Sequence, residues 1–173
     1  MATGSLIKID EEIVTSAVAS VTLGGADWDS SYDVYMVKFN NYTSDTNVLV
    51  RLRFTVSGTA DSTSNYDEAF KKLQADTTFS NTGQTNQSQF TISEAGTDTG
   101  EVSNGVLYLF NFNNASEYSF FTMETTARQA SGHLRGNQGG GVLTVSQATD
   151  GVQFLQDTGN ITAGKFTLYG LKK

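Results

Sequence analysis

The single histidine of the chain, His133, limits its chemistry more than any other residue. Because there is no second histidine, a metal site built on several histidines is excluded. A histidine-based catalytic triad would need His133 as its base, yet no Gly-x-Ser-x-Gly nucleophile motif accompanies it. His133 lies in the glycine-rich segment 128–141, and the absence of a nucleophile motif there favours an exposed or interfacial histidine. The sequence therefore predicts no triad-type hydrolase.

Seven acidic residues, most of them in turn-like segments, raise two further possibilities. A glycosidase needs two carboxyl groups at a set separation in space. A calcium ion prefers oxygen ligands, and the candidate groups are Asp27-x-Asp29 and the set Glu94, Asp98 and Glu101. Neither group matches an EF-hand loop, and acidic residues also simply form turns. We expect no catalytic residue, no metal and no cofactor. The seven residues are Asp27, Asp29, Asp33, Glu94, Asp98, Glu101 and Glu124.

The triplet Gly139-Gly140-Gly141 is similar to a phosphate-binding loop, but no Lys-Ser/Thr pair follows it. So many glycines in one segment indicate unusual backbone angles or very close backbone approach. A hairpin or a close-packing element is the expected structure here.

Two sets of residues are candidates for binding a ligand or partner. Trp28 lies between two aspartates and is either an exposed aromatic that stacks on a sugar or grips a partner, or a core-capping tryptophan at the start of a strand. In the glycine-rich segment, Arg128, His133 and Arg135 are the candidates for a protein interface, because arginine is enriched at protein contacts.

Composition narrows the class of protein and its partners. The 173 residues fit one domain, 1–173, and hydrophobic residues make up 38% of them, while Ser, Thr, Asn, Gln and 17 glycines favour half-exposed strands and tight turns. The net charge of −7 and the scattered basic residues argue against nucleic acid and an anionic membrane as partners. There is no cysteine, and no signal peptide or bilayer-spanning apolar run is recognisable, so we expect synthesis in the cytoplasm.

Apolar residues alternate with polar ones along most of the chain, which predicts an all-β antiparallel sandwich or jelly roll. The clearest strand is 48–57, with alternate residues from Val48 to Val56 on one face. Segments 32–39 and 105–112 are apolar on both faces, which is typical of central strands. The predicted strands are 16–23, 32–39, 48–57, 88–93, 105–112, 117–125, 141–147, 151–156 and 165–171.

Three regions are expected to differ from this pattern. Segment 65–75 favours a short helix, because Asn65 is a good N-cap and Tyr66, Phe70 and Leu73 share one helical face. Segments 76–87 and 94–104 are polar and are expected to be long loops. Residues 1–12 are expected to form an extended N-terminal arm.

Three stretches of the sequence resemble a known family. They are Ser31-Tyr32-Asp33-Val34-Tyr35, the stretch from Leu49 to Phe54 with the following Ser57-Gly58-Thr59, and the ending Gly164-x-Phe-Thr-Leu-Tyr-Gly-Leu171. Together they resemble small jelly-roll domains in virion structural proteins of tailed bacteriophages, especially marine ones and those of cyanobacteria. The family pattern implies a strand over 65–75, against the local helix signal.

The resemblance implies a non-enzymatic virion protein made in the host cytoplasm. We expect a capsid decoration or cement protein that binds the major capsid protein or other virion proteins, as a homotrimer. The alternative is a tail fibre tip or knob that recognises a host surface glycan. A glycan-cleaving enzyme is a third hypothesis, disfavoured by the lone histidine and by the absence of a defined carboxylate pair.

Overall fold

The computed structural model describes residues 6–172, and in this part of the chain nearly every element is a strand. The sole helical element there is a 3₁₀ turn, Gly25–Asp27. In chain order the strands are β1 Leu6–Val14, β2 Ser20–Gly24, β3 Val34–Ser44, β4 Val48–Val56, β5 Thr59–Ala60, β6 Tyr66–Gln74, β7 Ser80–Gln87, β8 Phe90–Ala95, β9 Ser103–Phe110, β10 Ser119–Arg128, β11 Leu134–Leu143, β12 Gly151–Gln156 and β13 Ile161–Leu171.

The strands form two antiparallel sheets packed as a sandwich, which confirms the predicted all-β class. The large sheet has eight strands in the order β1-β13-β3-β9-β10-β11-β6-β7. The small sheet has the order β2-β12-β4, and both β5 and β8 pair with the far edge of β4.

The chain crosses between the two sheets several times. Strands β1, β3, β9 and β13 belong to the large sheet, and β2, β4, β8 and β12 belong to the small one. These eight strands make two facing sets of four, β1-β13-β3-β9 and β2-β12-β4-β8. Strands β6, β7, β10 and β11 widen the large sheet beyond β9. The molecule is therefore an eight-stranded sandwich with a four-stranded extension on one side.

An aromatic layer fills the space between the sheets. The ring centroid of Phe54 lies 4.7 Å from that of Phe112 and 5.1 Å from that of Phe90. Phe90, on β8, also lies 4.5 Å from Phe121 and 4.7 Å from Tyr66, which belong to the extension. Aromatic pairs at these distances contribute beyond their buried area. Phe90 thus joins the widened part of the large sheet to the common core.

The helix predicted for 65–75 is wrong, because these residues form strand β6. Tyr66, Glu68 and Phe70 are buried, while Ala69 and Lys71 are exposed, which is the alternation of a strand. Strand β6 pairs with β11 on one side and with β7 on the other. Pairing on both edges satisfies the backbone and outweighs the weak local preference for a helix.

Two segments expected to be irregular are also strands. Residues 80–87 of the polar segment 76–87 form the edge strand β7, and the glycine-rich segment 128–141 contains a hairpin turn and most of β11. Residues 6–12 of the expected N-terminal arm belong to β1, which pairs with β13. Residues 1–5 lie outside the described residues.

The glycines of β11 allow three strands to approach closely. A Cβ atom added to Gly139 would overlap the carbonyl oxygen of Ala69 and lie 2.5 Å from the Cα of Phe70, both on β6. A Cβ added to Gly141 would lie 2.5 Å from a ring carbon of Phe90. The close-packing role expected for the triplet is therefore confirmed, whereas no helix follows it to form a phosphate loop.

Replacing Gly139 by alanine is expected to lower the free energy of unfolding by about 1–3 kcal/mol, because the added methyl group overlaps backbone atoms that have no room to move. Gly83→Ala on neighbouring β7 is the matched control, since a Cβ there meets its nearest atom, the Glu68 oxygen, at 4.0 Å. Urea denaturation measures both. Equal losses for the two variants would contradict the close-packing account.

Candidate functional site

Two loops come together at one end of the large sheet, because β11 pairs with both β10 and β6. The Ala75 N–H donates to the Leu134 carbonyl oxygen at 3.2 Å, which joins the β6–β7 turn to the β10–β11 hairpin. We call residues 75–79 and 128–135 the hairpin tip. It brings together three of the four predicted interface residues.

Arg135 holds the hairpin tip together. Its guanidinium forms an ion pair with Asp76, and its Nε donates to Gln129 Oε1 at 3.0 Å. The side chain of Arg135 is buried, so its charge is used inside the tip. His133 lies on the same carboxylate, with Nε2 3.9 Å from Asp76 Oδ2. Arg135 lowers the pKa of Asp76, which favours the charged pair.

The exposed part of the hairpin tip is more apolar than its charged residues suggest. Phe79 and Leu134 are each 56% exposed. The Nζ atom of Lys71 lies 5.2 Å from the centroid of the Phe79 ring. Arg128 is exposed, and its Nε donates to the Gly132 carbonyl oxygen at 3.2 Å. Two apolar side chains beside an ordered arginine give this surface the composition of a protein contact.

Trp28, the fourth predicted residue, lies at the opposite end of β9 and β10 from the hairpin tip. Its ring centroid is 4.0 Å from that of Tyr35 and 5.5 Å from that of Phe112. It is half-buried and packs against the core, and its buried indole N–H has no hydrogen-bond partner. This packing favours the core-capping interpretation of Trp28.

The residues considered as calcium ligands have other contacts. Asp29 Oδ1 accepts a hydrogen bond from the Ser31 N–H at 2.9 Å, and Ser31 lowers its pKa. Glu94 forms an ion pair with Lys72, and the buried Glu101 accepts a hydrogen bond from the Asp98 N–H at 3.0 Å. Within residues 6–172, no group of three or more acidic or histidine side chains is placed to hold a metal ion.

The outer face of the large sheet carries a second surface, which the sequence analysis missed. In the strand register, Tyr108 on β9 lies beside Thr122 on β10, and Thr122 lies beside Gly140 on β11. The row continues through Ala69 on β6 to Gly83 on β7, so small residues form a trough. Tyr108 and Phe120 are 40% and 42% exposed on this face.

Three neighbouring shallow cavities lie on this face. Their volumes are about 540, 460 and 610 Å³, and the first two share Val106, Glu124 and Gln138. Gln138 Nε2 donates to Glu124 Oε1 at 3.1 Å between them. We call this concavity the outer groove, defined by Asn104, Tyr108, Phe120, Glu124, Gln138 and Gly140.

Glu68 is a buried carboxylate between the two sheets. Its Oε2 accepts a hydrogen bond from the Thr91 N–H at 2.6 Å, whereas its Oε1 is buried with no partner. Burial raises the pKa of Glu68 above its ordinary value of 4.5. The side chain is only 5% exposed, so it is not presented to a substrate.

Comparisons with protein-family models, with curated proteins and with solved structures found no match to this chain. Within residues 6–172, no helix is long and apolar enough to cross a bilayer.

The stability of the protein is expected to depend on pH through Glu68. Because its pKa is raised in the folded state, its stabilising contribution is complete below about pH 4.5 and is lost as the pH rises through the raised pKa. Glu68→Gln removes this loss, so the variant gains stability relative to the natural protein between pH 5 and pH 8. Thermal melts across this range measure the gain. Glu12→Gln, at an exposed carboxylate, is the control, and an equal gain there would contradict the role of Glu68.

Proposed function

We propose that this chain is a jelly-roll structural protein of a tailed bacteriophage virion, which binds the outer surface of the capsid as a decoration or cement protein. The observation that carries the proposal is the strand order. Two facing sets of four strands, β1-β13-β3-β9 and β2-β12-β4-β8, support a jelly roll built from two Greek keys. Jelly rolls are frequent in viral capsid domains.

The resemblance of three sequence stretches to phage virion domains supports the same conclusion. All three lie in the eight-stranded sandwich and not in the extension: the first runs into β3, the second lies in β4 and the turn to β5, and the third forms most of β13. Because fold alone does not determine function, the proposal also needs a surface that can bind a partner.

The hairpin tip is the surface that supports binding to the capsid. It presents Phe79 and Leu134 beside Arg128, with Arg135 and Asp76 keeping the loops in place. Apolar anchors surrounded by polar residues are typical of the energetically important part of protein interfaces. Each bound subunit would stabilise the assembled shell by mass action, because it binds the assembled and not the dissociated state. The family resemblance supports a homotrimer as the binding unit.

Binding to virions from which the chain has been removed tests the proposal. Purified protein is mixed with stripped particles, and the bound fraction is measured by co-sedimentation over a concentration series. Saturable binding at a number of sites comparable to the number of capsid subunits is expected. Absence of binding, or binding confined to a few sites at the tail, would contradict a decoration role.

The double variant Phe79→Ser, Leu134→Ser is expected to weaken binding to stripped particles at least about tenfold, because each change removes apolar surface that the contact would bury. Arg128→Ala is expected to weaken binding by a smaller factor, since this side chain is exposed.

Tyr118→Ser is the matched control, because Tyr118 is 44% exposed and lies outside the hairpin tip. Circular dichroism confirms that each variant is folded before binding is compared. If the double variant bound as tightly as the control, the hairpin tip would not be the docking surface.

A further inference from the structure

The outer groove shares no residue with the hairpin tip and has the chemistry of a binding site for a different kind of ligand. Together its three cavities extend from β3 to β7 on the large sheet, and six strands at a spacing of about 4.8 Å span about 24 Å. Gly140, Ala69 and Gly83 keep its floor low on the side of the extension. An extended chain molecule can lie in such a groove across the strands.

Aromatic rings form one part of the groove surface. Tyr108 on β9 and Phe120 on β10 are each about two-fifths exposed, although buried residues precede and follow both in their strands. The face of an aromatic ring carries partial negative charge, which attracts groups that carry partial positive charge. The C–H groups on one side of a sugar ring are such groups. Tyr108 is therefore a platform on which a sugar ring can stack.

Side chains that form hydrogen bonds lie next to these rings. The amide of Gln138 donates to the carboxylate of Glu124, and this contact holds both groups in place on the groove floor. Further along, Asn104 Oδ1 accepts a hydrogen bond from the Asn41 N–H at 2.9 Å, which fixes the orientation of the Asn104 amide. Ordered amide and carboxylate groups beside an apolar surface provide orientation and specificity for a hydroxyl-rich ligand.

The charges around the groove favour an uncharged ligand. Lys38 and Lys71 lie in the same row of the sheet as Glu124, so positive and negative groups are interspersed. The net charge of −7 further disfavours a polyanion such as nucleic acid. A peptide would not gain a strand's hydrogen bonds here, because the backbone groups of the central strands are already paired within the sheet.

We propose that the outer groove binds a linear, uncharged polysaccharide, with Tyr108 as the stacking platform and Gln138 and Glu124 as the groups that bind sugar hydroxyls. This inference goes beyond the decoration role and does not depend on it, because no residue of the groove belongs to the hairpin tip.

Affinity electrophoresis tests the proposal. The protein migrates through native gels that contain dextran, galactomannan, xyloglucan or a β-1,3-glucan, with alginate as an anionic comparison. We expect at least one neutral polysaccharide to retard the natural protein. The dissociation constant for that polysaccharide should rise at least tenfold for Tyr108→Ala and several-fold for Gln138→Ala. Tyr118→Ala, at a tyrosine of similar exposure outside the groove, should bind like the natural protein.

Three results would overturn the proposal. The first is no retardation by any neutral polysaccharide, or retardation by alginate alone. The second is equal binding by the Tyr108 and Tyr118 variants. The third is a self-associated protein in sedimentation velocity that Tyr108→Ala dissociates, because the groove would then be covered by a second copy of the chain. Thermal melts of each variant separate loss of binding from loss of folding.

Discussion

Burial of one aromatic layer between the two sheets is the constraint on which the rest of the structure depends. Each strand must send alternate side chains into this layer, and the sheets must stay about 10 Å apart so that the side chains interlock. Phe54 and Phe90 on the small sheet meet Phe121 and Tyr66 on the large one. Successive side chains of a strand point to opposite faces of the sheet. The positions that enter the aromatic layer therefore determine which residues lie on the outer face.

Phe90 shows how the core controls the functional surfaces. Strand β8 belongs to the small sheet, yet it covers the inner face of the extension through contacts with Phe121 and Tyr66. Without this cover, β6, β10 and β11 would expose apolar residues on both faces. The extension in turn supplies the hairpin tip and the part of the outer groove with the glycine floor. Both proposed binding surfaces therefore depend on an addition to the eight-stranded sandwich.

Sequence patterns predicted the strands in which apolar and polar residues alternate. They failed for strands that lack this pattern or that are held by partners distant in sequence. Strand β12 was predicted at its observed bounds and β4 within one residue, because buried residues alternate with partly buried ones along most of each strand. Strand β7 was missed, since an edge strand made of Ser, Asn, Thr, Gly and Gln buries little and shows no period. Strand β6 was mistaken for a helix because its helix-favouring residues are local, whereas its pairing partners are distant in sequence.

The candidate sites could be predicted only in part for the same reason. Arg128, His133 and Arg135 are close in sequence, so their grouping was visible, but the role of Asp76 in holding Arg135 depends on the pairing of β6 with β11. The residues that define the outer groove come from three strands, and the walls of its cavities include residues of three more. Tyr108 belongs to segment 105–112, whose apolar residues on both faces indicated an apolar side chain on the outer face of the sheet. That pattern was interpreted as cover on both faces, and only the tertiary structure shows that the outer face is open.

The copy number of this chain in purified virions tests the central claim most directly. Quantitative mass spectrometry of the particle compares the amount of this protein with that of the major capsid protein. A ratio of the same order as one to one is the result expected for a decoration protein that covers the shell. A ratio of a few hundredths would place the protein on the tail and contradict decoration, and its absence from the particle would contradict a virion role altogether.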